Sequence, residues 1–375
     1  MPVNRGALAE ITAVVRGHWS LRRAGTWAGF GLIFVFLRSV GWLARKIDDL
    51  LWPEIANQKI ERPVFIFANA RSGTTLLHRL MSLDEERFAS FKLYQTFCCT
   101  VSARRVVDAL ERFDRHIWGH PLRRIVDWIN ATAFSGWDGI HEMGVDEPEE
   151  DEGLFALCLN TPSIVLLAPW VDEFPGVRWF DEREANERSR FLDVYEDALR
   201  RHLFASGGNR TFLNKNALFA SRVRSMSERF PDARFVYLVR HPYDALPSFL
   251  SMFHDTWTTH SPEIAKDSPE ARALARLAID YLRYALDCRK LIPPERFRVV
   301  RYDDLVADPR ATIDETYAWL GLPLTDDFRE RLDAATERHT GFVSEHCYTL
   351  EQFGLSRAEI YAELKDVFEE FGFER

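Results

Sequence analysis

The chain has 375 residues, of which 46% are hydrophobic and 28% are charged. These are ordinary values for a globular protein, and they exclude disorder or low complexity as a description of the whole chain. The length suits a single α/β domain that carries helical insertions. The formal net charge of −9 argues against the broad basic face that a nucleic-acid partner needs, whereas a few arginines in a pocket can still bind a small polyanion.

The cysteines indicate a reducing compartment. The sequence has five of them: Cys98, Cys99, Cys158, Cys288 and Cys347. No pair has CxxC spacing, and the adjacent pair is not a usual metal-binding pattern. We therefore expect reduced thiols in a cytoplasmic protein, with no metal site.

Residues 1–58 are predicted to form a hydrophobic and amphipathic helical segment ahead of the main domain. Residues Trp27 to Leu37 are uninterrupted apolar, but this run is shorter than the roughly 18 residues that a membrane-spanning helix needs. It also begins late for a signal peptide. After it, apolar residues recur on one helical stripe: Leu43, Ile47, Leu50 and Leu51.

Two interpretations of this segment stay open. The favoured one is a helix pair that packs on the main domain. The other is an interfacial helix that contacts a membrane surface through residues 25–52, with Trp27, Trp42 and Trp52 at headgroup depth. The protein would then be cytoplasmic and peripheral to the inner face of a membrane.

The main domain, residues 59–375, is predicted to contain a parallel sheet covered by helices on both faces. Short apolar runs typical of buried strands occur at 63–68, 211–213, 234–239 and 297–300. Between the first two, residues from about 84 to 210 have a mainly helical, aromatic-rich pattern. The alternation of strands and helices predicts an α/β fold. The sequence does not determine the oligomeric state.

Two loops that follow strands are predicted to bind anions. The first, at 69–75, contains a glycine turn before a helix, so its N–H groups would point at an anion. It lacks the Walker lysine, and by itself it is equally consistent with an ordinary capped helix start. In the second, Arg240 ends a strand and Ser248 lies eight residues on, in the next helix. Ligands of open α/β sheets bind at this edge.

The motifs around these loops resemble those of sulfotransferases that use 3′-phosphoadenosine 5′-phosphosulfate. PVFIFANARSGTTLLHRLMS looks like their 5′-phosphosulfate loop, and FVYLVRHPYDALPSFLS looks like their 3′-phosphate motif. RFRVVRYDDLVADPRATIDETYAWLGLP and YTLEQFGLS resemble later segments of bacterial members. The resemblance implies a P-loop-like α/β fold and transfer of a sulfuryl group to a hydroxyl or amine. By position, the 5′-phosphosulfate would be held by Arg71, Ser72, Gly73, Thr74 and Thr75, and the 3′-phosphate by Arg240 and Ser248.

The residues on the acceptor side are less clearly marked. Golgi-type members have a catalytic glutamate soon after the loop helix, whereas this chain has none at 91–95. The acidic segment 146–152 supplies the candidates for the base: Glu150 first, then Glu149, with His141 as the rival. Pro148 is expected to open a helix there, and close like charges to raise the pKa of one glutamate. Lys215 is expected either to stabilise charge on the leaving group or to face solvent.

Two other functions remain as alternatives. One is a P-loop kinase or another NTP-dependent enzyme, which the missing Walker lysine disfavours. The other is a non-catalytic nucleotide-binding protein associated with a membrane. The acceptor is a small or lipid-like molecule whose identity the sequence does not name, although 28 phenylalanines and 11 tryptophans are compatible with a hydrophobic acceptor pocket.

Overall fold

The computed structural model describes residues 3–69, 71–117, 120–133, 147–339 and 348–375. Its centre is a five-stranded sheet in the order β2-β3-β1-β4-β5, and every pairing is parallel. The strands are β1 (Val64–Phe67), β2 (Phe88–Ala89), β3 (Thr211–Asn216), β4 (Arg234–Val239) and β5 (Phe297–Arg301). The predicted α/β class and the parallel sheet are confirmed.

Helices flank this sheet and form most of the rest of the described chain. Before β3 they are α1 (Arg5–Gly17), α2 (Leu21–Leu51), α3 (Thr74–Ser82), α4 (Leu93–Phe97), α5 (Val101–Asp114), α6 (Pro121–Ala133), α7 (Glu152–Ala156), α8 (Pro175–Arg178) and α9 (Ala185–Ala205). After β3 they are α10 (Val223–Arg229), α11 (Pro242–His260), α12 (Pro269–Leu291), α13 (Tyr302–Ala307), α14 (Pro309–Leu320), α15 (Asp326–His339) and α16 (Arg357–Phe371).

The core is built around β1, which lies between β3 and β4 and is buried along its whole length. Phe65 on β1 stacks on Phe219 and Phe235, with ring centroids 5.2 and 5.7 Å apart. Large rings that meet in this way bury much apolar area and fix the spacing between elements. The central strand therefore holds the described residues of the loop that follows it, 68–69 and 71–73, in a defined place at the sheet edge.

Local sequence signals fix several helix boundaries. The Ser268 side chain accepts from the Ala271 N–H and caps α12, and the Asp308 side chain caps α14, which ends at Gly321 with φ +70°. In α11, however, the first residue is Pro242, so Pro247 lies inside the helix and not in its first turn. Pro242 itself occupies the first helical position, where proline is well tolerated.

The second helix differs from expectation. The helix that contains the apolar run 27–37 does not end at Arg38. It spans 31 residues, Leu21–Leu51. Arginine and serine interrupt the apolar run without interrupting the backbone hydrogen bonds of the helix. By length and composition alone, α2 is long and apolar enough to cross a membrane.

Side-chain contacts hold α2 lengthwise along the domain. Near its start Arg23 pairs with Glu263, and in its middle Arg38 donates to the carbonyl of Leu157. Near its end Asp48, fully buried, accepts hydrogen bonds from two backbone N–H groups at the start of α5, at 2.7 and 2.8 Å. About 38 Å of helix separates the first and last of these contacts. The helix is thus fixed side-on to the domain.

Among these contacts of α2, those of Asp48 are expected to contribute most to the free energy of unfolding. Asp48→Ala would leave the N–H groups of Val101 and Ser102 without their acceptor, and it would remove the carboxylate that accepts from Arg201 at 3.2 Å. Loss of one member of a buried ion pair costs about 3–5 kcal/mol of unfolding free energy. The control is Asp49→Ala, because Asp49 also pairs with Arg201 but is half exposed, and its loss should cost less than about 1 kcal/mol. Urea unfolding measures both, and equal losses would contradict this assignment.

Candidate active site

The loop between β1 and α3 has the geometry of an anion-binding turn. Arg71 and Gly73 both have positive φ, +70° and +86°, so the chain turns sharply before Thr74 begins the helix. A Cβ at Gly73 would lie 2.9 Å from the Tyr302 ring, so only glycine fits there. No described side chain caps α3. Its first N–H groups can therefore bind an anion.

The second predicted anion motif meets this loop directly. Arg71 Nε donates to Ser248 Oγ at 3.2 Å, and Arg240 Nη1 donates to the Arg71 carbonyl at 2.6 Å. The Arg240 guanidinium lies 4.4 Å from the centre of the Tyr302 ring. The two motifs, which are far apart in the sequence, thus lie side by side because β1 and β4 are neighbours.

Positive charge is concentrated at this point. Burial and then the charge of Arg240 lower the pKa of Arg71. Within the described ranges, neither Arg71 nor Arg240 forms an ion pair with a carboxylate, and Arg240 Nε has no hydrogen-bond partner. Two neighbouring guanidinium groups without a carboxylate make a site that favours a phosphate.

A buried lysine lies on the other side of the loop. Lys215, on β3, is 1% exposed, and its Nζ donates to Thr75 Oγ1 at 3.0 Å. The same Nζ lies 2.9 Å from Glu150 Oε1 and 3.6 Å from Glu149 Oε1. Of the two expectations for Lys215, exposure to solvent is thus wrong: Lys215 lies within β3, which extends through Asn216, and its side chain is buried against α3.

The sequence predicted that Pro148 opens a helix, with the two glutamates in its first turn. In the structure the two glutamates do not begin a helix. Pro148 instead forms an antiparallel bridge with Lys92, and the Glu149 N–H donates to the Phe91 carbonyl at 2.8 Å. The helix α7 begins later, at Glu152. This pairing is not helical, and it brings both carboxylates within 3.6 Å of the same ammonium group.

Comparison with known proteins identifies the family to which the chain belongs. The family model described as "Sulfotransferase family" matches residues 63–327, which is most of the chain. The chain belongs to the sulfotransferase family. It is also 25% identical over 358 residues to "Omega-hydroxy-beta-dihydromenaquinone-9 sulfotransferase Stf3" of Mycobacterium tuberculosis and of Mycobacterium bovis, covering 92% of this chain and 84% of each relative. The predicted enzyme class is confirmed, and the NTP-dependent and non-catalytic alternatives are set aside.

Solved structures share its fold. Sulfotransferase STF1 of Mycobacterium tuberculosis superposes with a TM-score of 0.71 at 20% identity, over 96% of this chain and 92% of that one. Sulfotransferase STF9 of Mycobacterium avium gives 0.68 at 20% identity, over 88% and 81% of the two chains. The fold of the sulfotransferase therefore extends over nearly the whole chain, including the helices that precede the sheet.

The sulfotransferase also contains a buried polar network that the sequence did not reveal. Asp151 accepts from the Tyr195 hydroxyl at 2.5 Å and from Asn216 Nδ2 at 2.6 Å. Glu152 lies 3.5 Å from Arg222, which is fully buried. Burial raises the pKa of Asp151, and it raises that of Glu152 to about 7 against the opposing charge of Arg222. The raised pKa values therefore belong to the acids that anchor the segment next to the two glutamates.

His78 is a second residue that sequence reasoning missed. It lies on α3 three residues after Thr75, so the two side chains share a helix face. Burial and then the charge of Lys215 lower the pKa of His78 to about 3. The imidazole is thus neutral at physiological pH and packs behind the lysine. Helical spacing from the loop was the signal that could have found it.

The other predicted site residues include two that are buried in the turn and one outside the described residues. Ser72 and Thr74 are buried in the turn beside Gly73. His141 lies outside the described residues. In the described part of the chain, no three His, Cys, Asp or Glu side chains are grouped so that they could hold a metal ion.

The buried histidine is expected to make stability depend on pH. An unfolded histidine binds a proton near pH 6.5, whereas folded His78 does so only near pH 3. The unfolded state therefore binds more protons between these values, and stability falls as pH decreases through 6.5. From pH 7 to pH 5 this one group should account for about 2 kcal/mol of lost unfolding free energy.

Urea unfolding of His78→Gln at the two pH values tests this. The variant should lose about 2 kcal/mol less than the wild type over the interval. His116→Gln, which changes an exposed histidine, is the control and should behave as the wild type does. An unchanged pH dependence in His78→Gln would show that His78 takes up a proton in the folded state.

Proposed function

We propose that this sulfotransferase uses 3′-phosphoadenosine 5′-phosphosulfate as donor and transfers its sulfuryl group to a hydroxyl of a lipid-like acceptor. The observation that carries the proposal is the convergence of Arg71, Arg240 and Ser248 beside the uncapped start of α3. This arrangement suits a nucleotide with two separated anionic groups. One group would meet the helix start, and the other would meet the arginine and serine.

The donor is proposed to lie across the carboxyl edge of the sheet. The N–H groups and hydroxyls of residues 72–75, with Arg71, would hold the 5′-phosphosulfate. Arg240 and Ser248 would hold the 3′-phosphate, and Tyr302 would keep the Arg240 guanidinium in place by stacking. Fixed cations and backbone dipoles supply the neutralising charge, and this supports transfer without a metal.

Glu150 is proposed as the base. Its side chain is more exposed than that of Glu149, 20% against 6%, so it is the one that an acceptor can approach. As the acceptor oxygen bonds to sulfur, its proton passes to the Glu150 carboxylate, and the bond between sulfur and the phosphate oxygen breaks. The products are the sulfate ester and adenosine 3′,5′-bisphosphate.

Lys215 and Glu149 are proposed to assist this step. The ammonium group lies between Thr75 and Glu150, so it can stabilise charge on the departing phosphate oxygen while it orients the base. Glu149 accepts from the N–H of Glu150 at 2.9 Å and thereby positions the backbone of the base. Glu149 and His141 remain the second and third candidates for the base.

The lipid-like acceptor is supported by a relative and by a cavity. The relative's name states that it acts on an ω-hydroxylated dihydromenaquinone. In this chain an apolar cavity lies between the first two helices and residues 156–177, and Ile11, Phe30 and Leu167 are among its walls. Thr161 also lines it, and its hydroxyl donates to Glu152, two residues from the proposed base. This cavity, of about 40 Å³, has room for only a small part of an acceptor's apolar chain.

We further propose that the enzyme is cytoplasmic and peripheral to the inner face of a membrane. The long apolar helix α2 supports contact with lipid, and its lengthwise attachment to the domain favours a side-on position.

A direct assay tests the reaction. Purified enzyme, the donor and a detergent-solubilised hydroxylated isoprenoid quinol should give a product heavier by one SO₃ unit, detected by mass spectrometry. Formation of this product should persist in excess EDTA, because a sulfuryl group carries less charge than a terminal phosphoryl group and loop cations suffice. Loss of transfer in EDTA, restored by magnesium, would contradict the metal-free mechanism.

Arg240→Ala tests the donor site. Removing one charge-assisted contact to a phosphate should weaken binding of adenosine 3′,5′-bisphosphate about tenfold to a hundredfold. Calorimetry measures the affinity, and a thermal melt checks the fold. Arg276→Ala removes an exposed arginine elsewhere and should bind as the wild type does. Wild-type affinity in a folded Arg240→Ala would refute the assignment.

Glu150→Gln tests the base. The amide keeps the shape and loses the proton acceptor, so turnover should fall by about 10²–10⁴ while affinity for the bisphosphate stays nearly unchanged. Glu147→Gln, three residues away and exposed, serves as the control. If Glu150→Gln retains full turnover and His141→Ala abolishes it, the histidine is the base.

A further inference from the structure

Three neighbouring helices expose apolar stripes to solvent. On α2 the exposed apolar residues recur every three or four positions, as Leu32, Phe36, Val40, Leu43, Ile47 and Leu50. This spacing places them on one helical face about 27 Å long. The inner face of the same helix packs on the core through residues such as Phe30 and Phe34. Both sides of α2 are therefore apolar, but only the inner side packs against the domain.

Two neighbouring helices also expose apolar residues. The helix α5 packs against α2, and α6 packs against α5. On α5 the exposed apolar residues are Val106, Leu110 and Phe113, again on one face. On α6, Trp128 is 66% exposed beside Ile125. Apolar area of this extent on a soluble protein marks a surface that contacts something else.

Charge distinguishes these helices from the rest of the chain. Residues 1–52 and 101–133 contain thirteen arginines and lysines against seven aspartates and glutamates, an excess of six positive charges. The remainder of the chain carries fifteen net negative charges, since the whole has −9. An excess of basic residues in helices that expose apolar stripes and tryptophans is the pattern of helices that lie on anionic lipid.

We propose that the exposed faces of α2, α5 and α6 form one surface that docks side-on against an anionic lipid bilayer. We call this surface the lipid face. A second copy of the chain fits it less well, because two identical faces would bring the same positive excess together. Insertion of α2 across the bilayer would break its contacts at Arg23, Arg38 and Asp48.

This surface also gives the acceptor a route. Phe30, on the inner side of α2, lines the apolar cavity that reaches Thr161. An apolar group of an acceptor that leaves the bilayer at α2 would meet this small cavity, of about 40 Å³, on the inner side of the helix. This route rests on the proposed lipid-like acceptor, whereas docking itself does not.

Vesicle flotation tests the lipid face without donor or acceptor. The wild type should float with phosphatidylcholine vesicles that contain about 30% phosphatidylglycerol. It should float about tenfold more weakly with phosphatidylcholine alone or at high salt, because screening removes the electrostatic part of the attraction. The paired variants Leu32→Glu/Phe36→Glu and Phe113→Glu/Trp128→Glu should each lose at least about tenfold in partitioning.

The control is Leu291→Glu, which changes a residue 76% exposed on α12 and should float as the wild type does. Thermal melts and bisphosphate binding establish that each variant is folded. A second measurement needs no substitution: brominated lipid should quench part of the tryptophan fluorescence of the wild type. Both observations are expected if the lipid face meets the bilayer.

Three results would overturn the proposal. They are absence of wild-type flotation on both vesicles, equal loss in Leu291→Glu, and a dimer in light scattering that Leu32→Glu/Phe36→Glu dissolves while flotation stays intact. Failure of docking with sulfation of a micellar acceptor retained rejects the lipid face alone. Normal flotation without bisphosphate binding or sulfation rejects the proposed function instead.

Discussion

The buried ammonium group of Lys215 is the constraint on which the site depends. A lysine 1% exposed on a central strand must have anionic and hydrogen-bonding partners, because an unpaired buried charge is strongly destabilising. It finds them in Thr75 at the start of α3 and in Glu149 and Glu150 of a distant segment. The lysine thus joins the anion-binding turn to the carboxylates, and this proximity is what an acceptor and a donor need in order to react.

The charged residues around Lys215 form two groups with different partners. Arg71 and Arg240 lie together without a described carboxylate, so their repulsion is relieved when an anion binds. Asp151 and Glu152 instead have Asn216 and Arg222 as partners, deep in the protein. The first group is arranged for a ligand and the second for rigidity. The backbone of the 149–152 segment is fixed between them, so its glutamates keep their positions.

The two sides of the N-terminal helix α2 have different environments. Along α2, one side packs on the domain and lines the apolar cavity, while the other side exposes a stripe of similar hydrophobicity. Arg23, Arg38 and Asp48 keep the helix parallel to the domain surface. A helix of this composition would suit a membrane span by length, yet its polar anchors favour lying flat. The proposed catalytic site and the proposed lipid face thereby share the helix α2 as a neighbour in one chain.

The sequence by itself determined the sheet class, the family and the two anion motifs, since strands, glycine turns and helix caps are local signals read within a few residues. It identified Arg71, Gly73, Arg240 and Ser248, because a strand end followed by a fixed spacing places each at the sheet edge. Tertiary structure alone decided that Glu149 and Glu150 do not begin a helix, since the bridge between Lys92 and Pro148 joins segments that are distant in the sequence. It also decided the burial of Lys215 and the inclusion of Tyr302, His78 and Arg222, because burial and stacking depend on which elements become neighbours.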